Sequence, residues 1–275
     1  MDSSSDTTVN TRLIPRVIDL TRWALLISLS LLGCTALSEE TLKLVTGEQY
    51  APFTGSELQD GGVLTALVTQ AFARNSIATE VAFRPWTRGY EDSLKLEYAA
   101  AFPYIATPER EADFLFSDPL YLLKLRFYVK PDSPYKEGSS GELANAVFCL
   151  PAGYEFAGWA SDRRDELTFV RPRSIAQCYQ MMARGRVDVL ISNPANVAYL
   201  TSRPGSEARQ WAMRELPHPL ADMTLHLIVP AHHPEALKLL DDFNTGLQQL
   251  HASGESARLF ADHPDYQAVL PAQAQ

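Results

Sequence analysis

Basic charge is scarce in this sequence. Lysine and arginine number 24 against 33 aspartate and glutamate, a formal net charge of -9, and no basic run occurs. That balance argues against a surface that tracks the phosphates of DNA or RNA. Cysteine is scarcer still, with three in 275 residues. His218, His226, His232 and His233 gather late in the chain, but no cysteine or spaced carboxylate completes a zinc-type ligand set, so no metal site is expected. No histidine stands in a recognisable relation to Cys149 or Cys178, which argues against a catalytic thiol. Internal repeats are missing, and so is low-complexity sequence beyond the polar first residues.

Long apolar runs are equally rare. "WALLISLSLLGC", Trp23 to Cys34, is too short to span a bilayer. It follows Arg12, Arg16 and Arg22, so it has the pattern of a signal-peptide core behind a positive region. Residues 1–38 are therefore expected to be an export signal. "LLGC" resembles a lipobox, which makes Cys34 the candidate lipidation residue. Ordinary cleavage near Glu39, after "ALS", is the other reading. A lipid anchor built from several chains would hold. The expected location is the periplasm, free or anchored to the membrane.

What remains is a folded chain. Hydrophobic residues make up 46% and charged residues 21%. The length suits two modest domains around separate cores. Strand and helix patterns alternate. Thr41–Gly47 reads as a strand, and Val63, Leu64, Leu67, Val68, Ala71 and Phe72 form one helical stripe. A strand over residues 78–85, a short helix from Trp86 and a buried strand ending at Tyr104 follow. A linker rich in turn formers covers residues 132–141. The second set reads strand 146–150, helix 155–164, strand 168–170, helix 174–184, strand 187–192 and helix 195–202. Strand 224–230 and the amphipathic helix 234–254 return the chain to the first set. The expected fold is α/β, in two lobes with a cleft between them. Lobe 1 is placed at 39–127 and 226–275, and lobe 2 at 128–225. Two crossover strands would form the hinge, and the cleft is the natural ligand site.

Export bears on the cysteines. Cys149 lies in an apolar strand run. Cys178 lies on the inward face of a helix that Ser174 would cap and Gly185 would stop. An oxidising compartment lets them pair, and a structural disulfide is expected. Two buried free thiols are the alternative.

"LVTGEQYAPFTG…GG", then "FRPWTRGY", "FPYIATPEREADFLFSDPL" and "GRVDVLIS" occur in this order. Together they resemble the family-3 periplasmic solute-binding proteins of polar amino-acid ABC transporters, over roughly Glu40 to His263. The resemblance implies two lobes that close on a small solute, with no cofactor and no catalysis. It implies that Tyr50 and Trp86 line the pocket, and that Arg110 clamps the ligand carboxylate within Thr-x-x-Arg. A guanidinium fork suits that task, because it grips a carboxylate through two parallel hydrogen bonds. Thr107 is expected to cap a short helix that starts at Pro108. Such a helix would turn its free N–H groups toward the same anion. Tyr104, Arg88 and Asn193 complete the candidate ligand-binding set. The alternative for Arg110 is a solvated side chain paired with Glu109, Glu111 or Asp113. As an exposed cleft residue, it would contribute little to stability.

The chain departs from the amino-acid binders at three places. Pro103 and Ile105 replace small hydroxyl residues, "PAGYEF" (Pro151 to Phe156) replaces the Gly-x-Thr loop, and Asn193 stands where an acid would meet the ligand's ammonium. Asp188 reads as structural. The expected function is capture of a small carboxylate-bearing solute, an amino acid or analogue, for an ABC permease in the inner membrane. Two alternatives stay open: a dehydratase-like periplasmic enzyme on this fold, and a ligand-sensing receptor for a membrane partner. Glu48 and Glu155 are the carboxylates nearest the cleft mouth.

Overall fold

Alternation of apolar strands and amphipathic helices carries through to the structure, a computed structural model that describes residues 41–202 and 213–267. The export signal and Cys34 lie outside the described residues. The chain begins β1 (Leu42–Gly47), α1 (Val63–Ala73), β2 (Thr79–Arg84), α2 (Trp86–Leu94), β3 (Ala100–Tyr104), α3 (Pro108–Asp113), β4 (Phe114–Phe116) and β5 (Tyr121–Val129). It continues β6 (Val147–Cys149), α4 (Trp159–Asp162), β7 (Thr168–Val170), α5 (Ile175–Ala183), β8 (Val189–Ser192), α6 (Pro194–Ser202) and β9 (Arg214–Glu215). It ends with β10 (Ala221–Pro230), α7 (Ala236–Ala252), α8 (Glu255–Asp262) and α9 (Pro264–Gln267).

The strands follow the order β2-β1-β3-β10-β5-β8-β6-β7. β1 pairs in parallel with β2 and β3, and β6 in parallel with β7 and β8. These are the sheets of the two lobes. Helices cover both faces of a parallel sheet, so its central strands are apolar throughout. "AAFPY" in β3 and "VLIS" in β8 are buried at every residue. The long strands β5 and β10 join the lobes. They pair antiparallel from Tyr121–Leu225 to Leu125–Ala221. Beyond that segment β10 pairs with β3 and β4, while β5 pairs with β8 and β9. β10 therefore belongs to the first lobe's sheet and β5 to the second's, and their paired segment is the connection through which the two strands form the hinge.

Local chemistry fixes the helix ends. The Ser174 hydroxyl accepts from Gln177 N at 3.3 Å, and Gly185 leaves α5 at φ 66°. The six stripe residues of α1 are all buried. Burying a side chain of this size contributes roughly 1.5–3 kcal/mol before the entropy of ordering it is subtracted. The α1 stripe packs on α7, with Phe72 and Phe243 ring centres 5.1 Å apart. Asp188 is structural: its carboxylate accepts from Val147 N at 2.8 Å, and its own N–H donates to Val147 O at 2.8 Å. Cys149 and Cys178 form a disulfide between β6 and α5, with Cα atoms 5.6 Å apart.

Two elements differ from expectation. Within the helix expected at 155–164, only Trp159–Asp162 is α-helical, and a short 3-10 turn follows at Arg164–Glu166. Gly153 and Gly158 adopt φ of 80° and 82°, so the chain before Trp159 runs as a loop. At the C-terminus, left-handed Gly254 (φ 72°) ends α7 and its flanking turn, and two short further helices follow.

Candidate ligand site

In α/β sheets, ligands bind beyond the carboxyl ends of parallel strands. β1, β3 and β8 end at Gly47, Tyr104 and Ser192, and a cavity of about 50 Å3 lies there between the lobes. Tyr50, Trp86, Tyr104 and Arg110 line it from lobe 1; Gly153, Tyr154, Glu155, Ser192, Asn193 and Asn196 line it from lobe 2. Leucines from the crossover strands β5 and β10 form part of its wall.

Trp86 opens α2, directly after Pro85. It can lie across the end of β1 because residue 47 is glycine. A Cβ there would stand 2.0 Å from the Trp86 ring. The Tyr104 hydroxyl donates to Trp86 O at 3.1 Å and ties β3 to α2. Tyr50 and Tyr154 meet the Trp86 ring edge-on at 5.6 and 5.8 Å. Burial pushes the phenols of Tyr50, Tyr104 and Tyr154 well above the usual tyrosine range. All three stay protonated and can donate. The Trp86 side chain pulls the Tyr154 phenol the other way, but neither polar atom completes a well-formed hydrogen bond.

Arg110 lies at the centre. Thr107 caps α3, accepting from Arg110 N at 3.3 Å, with Pro108 in the first turn. The guanidinium turns inward. It donates to Ile105 O at 3.0 Å and to Gly153 O at 3.3 Å, and it stands 4.9 Å from the centre of the Tyr104 ring. Its hydrogen bonds thus go to carbonyls rather than to Glu109, Glu111 or Asp113. It is 9% exposed, so it is a buried cation and not the exposed cleft residue the sequence suggests. Desolvation lowers its pKa, and the nearby Tyr104 phenol and Glu155 carboxylate act against that shift. A guanidinium remains protonated nonetheless.

The other candidates divide. Asn193 caps α6: its side-chain oxygen accepts from Asn196 N at 3.0 Å, and its amide donates to Asn196 Oδ1 at 2.6 Å. Thr107 stays at the helix cap, outside the cavity wall. Arg88 also lies outside that wall, paired with Asp92 at 2.9 Å and 56% exposed. Of the two carboxylates, Glu155 lines the cavity and pairs with Arg164 and, at 3.7 Å, with Arg171. Glu48 accepts from Ser56 N and Oγ at 3.1 and 3.2 Å.

Tyr154, Ser192 and Asn196 are polar lining residues that sequence reasoning missed. Tyr154 lies in an irregular loop that has no periodicity to reveal it. Ser192 and Asn196 flank Asn193, and the apolar strand preceding them is the one signal of their position.

Contacts across the cleft among the described residues include Arg110 with Gly153 O, Asn196 Nδ2 with Ala51 O, and Tyr154 with the rings of Tyr50 at 5.2 Å and Trp86 at 5.8 Å. Gly153 makes this approach possible. A Cβ there would stand 2.5 Å from Trp86 Cβ, at a φ of 80° that L residues rarely adopt. Gly153→Ala is accordingly expected to hold the lobes apart. The left-handed backbone alone costs an alanine about 1–2 kcal/mol. Small-angle scattering should give a larger radius of gyration for the variant, and ligand affinity should fall at least tenfold. An unchanged radius and affinity would show that the lobes need not meet at this point.

The family model of the bacterial extracellular solute-binding proteins, family 3, matches residues 42–263. The chain belongs to that family. Among solved structures, this family-3 chain is similar to the amino-acid ABC transporter substrate-binding protein AbpA from Streptococcus pneumoniae, bound to L-arginine. The two are 17% identical with a TM-score of 0.69, covering 84% of this chain and 96% of that one. It is likewise similar to the ancestral amino-acid-binding protein AncCDT-1, a precursor of cyclohexadienyl dehydratase, at 19% identity and TM-score 0.66, covering 81% and 95%. A histidine kinase sensor domain with similarity to periplasmic binding proteins gives 17% identity and TM-score 0.70, covering 82% and 96%. Among curated protein sequences none matches significantly. These likenesses show the fold, which does not by itself fix function. Among the described residues, no helix is long and apolar enough to cross a membrane, and no group of His, Cys, Asp or Glu side chains could hold a metal ion.

Proposed function

We propose that this family-3 chain is an extracytoplasmic receptor that captures a small carboxylate-bearing solute, an amino acid or analogue, and delivers it to an ABC permease in the inner membrane. The observation that carries the reading is Arg110, a buried guanidinium with two of its five N–H donors committed to carbonyls. The remaining donors suit an anion. Three further buried polar atoms at the same cavity, Trp86 Nε1, Tyr154 Oη and Ser192 Oγ, have no hydrogen-bond partner. Buried polar groups without partners are costly, and a ligand oxygen would satisfy them. Closure of the lobes then follows from the ligand bridging both sides, favouring the closed state.

An enzymatic reading needs an acid or base poised at the reacting atom. The carboxylate at the cavity, Glu155, is held by two arginines, which favours capture over catalysis. Removal of the leader, with or without lipidation at Cys34, would place the receptor on the periplasmic side.

A thermal-shift screen against amino acids, dicarboxylates, short peptides and aromatic acids tests the proposal. A ligand at 100 times its dissociation constant adds about 2.7 kcal/mol. Stabilisation by at least one carboxylate is expected. Silence across all four classes would contradict a carboxylate receptor.

A further inference from the structure

The cavity is unbalanced between donors and acceptors. On the donor side stand the remaining N–H groups of Arg110, the Trp86 indole N–H and the Tyr154 and Ser192 hydroxyls. Trp86 and Ser192 are 8% and 4% exposed, so their polar atoms are beyond easy reach of bulk water. A hydroxyl can accept as well as donate, but an indole N–H and a guanidinium cannot.

The acceptor side is already in use. Among the described residues of the cavity wall, Glu155 is the one carboxylate, and Arg164 and Arg171 hold it. Asn193 and Asn196 are bonded to each other, and the Asn196 amide also reaches across to Ala51 O. An ammonium brings three donors, no acceptor and a full positive charge. It would enter a site that already contains the Arg110 cation and no uncompensated anion, and burying a charge without a partner is strongly unfavourable. An oxygen on the carbon beside the carboxylate faces the opposite situation, because the unpartnered N–H and O–H groups can donate to it. Beside the rings of Tyr50 and Tyr104, the wall is lined by apolar side chains, among them Ile105, Leu123, Leu125, Leu150, Ile191 and Leu225.

We infer that the ligand is a small monocarboxylate with an apolar body and no amino group, of the 2-oxo acid kind, in preference to an amino acid. The inference rests on the reading of Arg110 as a carboxylate clamp and specifies what lies next to that carboxylate. Asn193 contributes to the preference, since it presents a neutral amide already bonded to Asn196 and no charge to receive an ammonium.

The test is calorimetric titration of the protein with matched pairs that differ at one carbon: pyruvate and L-alanine, 4-methyl-2-oxopentanoate and L-leucine, phenylpyruvate and L-phenylalanine. In each pair that binds, the oxo acid is expected to bind at least 30-fold more tightly than the amino acid. An amino acid that binds as tightly as its oxo partner overturns the inference and leaves the carboxylate clamp standing. If none of the six binds and the wider screen yields a different solute, that solute and its amine-bearing or amine-free counterpart decide in the same way. If no carboxylate of any class binds, the clamp reading fails and the inference goes with it.

Discussion

Arg110→Ala is expected to weaken carboxylate binding at least 100-fold, to the point where calorimetry records no heat. Two charge-assisted hydrogen bonds to an anion are lost together, each contributing about 1.5–3 kcal/mol. The substitution also acts on the fold. Ile105 O and Gly153 O lose their donor, and the Tyr104 ring loses the cation beside it. Leaving buried acceptors unsatisfied costs about 1–3 kcal/mol, so the melting temperature falls as well. Arg110→Lys separates the two effects. It keeps a positive charge and one donor direction but not the planar fork, so stability should recover more than affinity does. Affinity retained in Arg110→Ala would show that Arg110 is not the carboxylate clamp.

The second large effect concerns the disulfide. Cys149→Ala with Cys178→Ala should lower the melting temperature by roughly 10 °C. The bridge spans 29 residues of chain, and closing such a loop contributes roughly 3–4 kcal/mol in the chain-entropy model. A protein of this size changes its melting point by about 2–4 °C per kcal/mol. Both cysteines are fully buried between β6 and α5, so the alanines also leave a small void. The cavity lies elsewhere, and affinity should stay within about threefold. An unchanged melting temperature would mean that the bridge restrains nothing that the α5 packing does not already hold.

Elements with strong local chemistry were legible in the sequence. The α1 stripe, the buried runs of β3 and β8, the Thr107 and Ser174 caps and the structural Asp188 all announce themselves through spacing or residue type. The place of the cavity was legible too, because parallel strands converge at their carboxyl ends. The parts that stayed hidden are non-local. Arg110 sits among Glu109, Glu111 and Asp113, and in sequence that company reads as a solvated face. Only folding shows that the guanidinium turns under Tyr104 toward Gly153, 43 residues away along the chain. The contact of Asn196 with Ala51 spans 145 residues, and no local pattern encodes it. Tyr154 follows a glycine in an irregular loop, where neither the helical nor the strand period applies. Its partner rings, Tyr50 and Trp86, belong to the other lobe.

We propose that the cleft holds its ligand by the carboxylate. Titrating the tightest-binding acid from the screen beside its methyl ester tests this most directly. The ester keeps the body and one carbonyl oxygen but removes the charge and the second equivalent oxygen. The acid should bind one molecule per chain, and the ester should bind at least 100-fold more weakly. An ester that binds within a few-fold of the acid would contradict the claim, because Arg110 would then be reading something other than an anion.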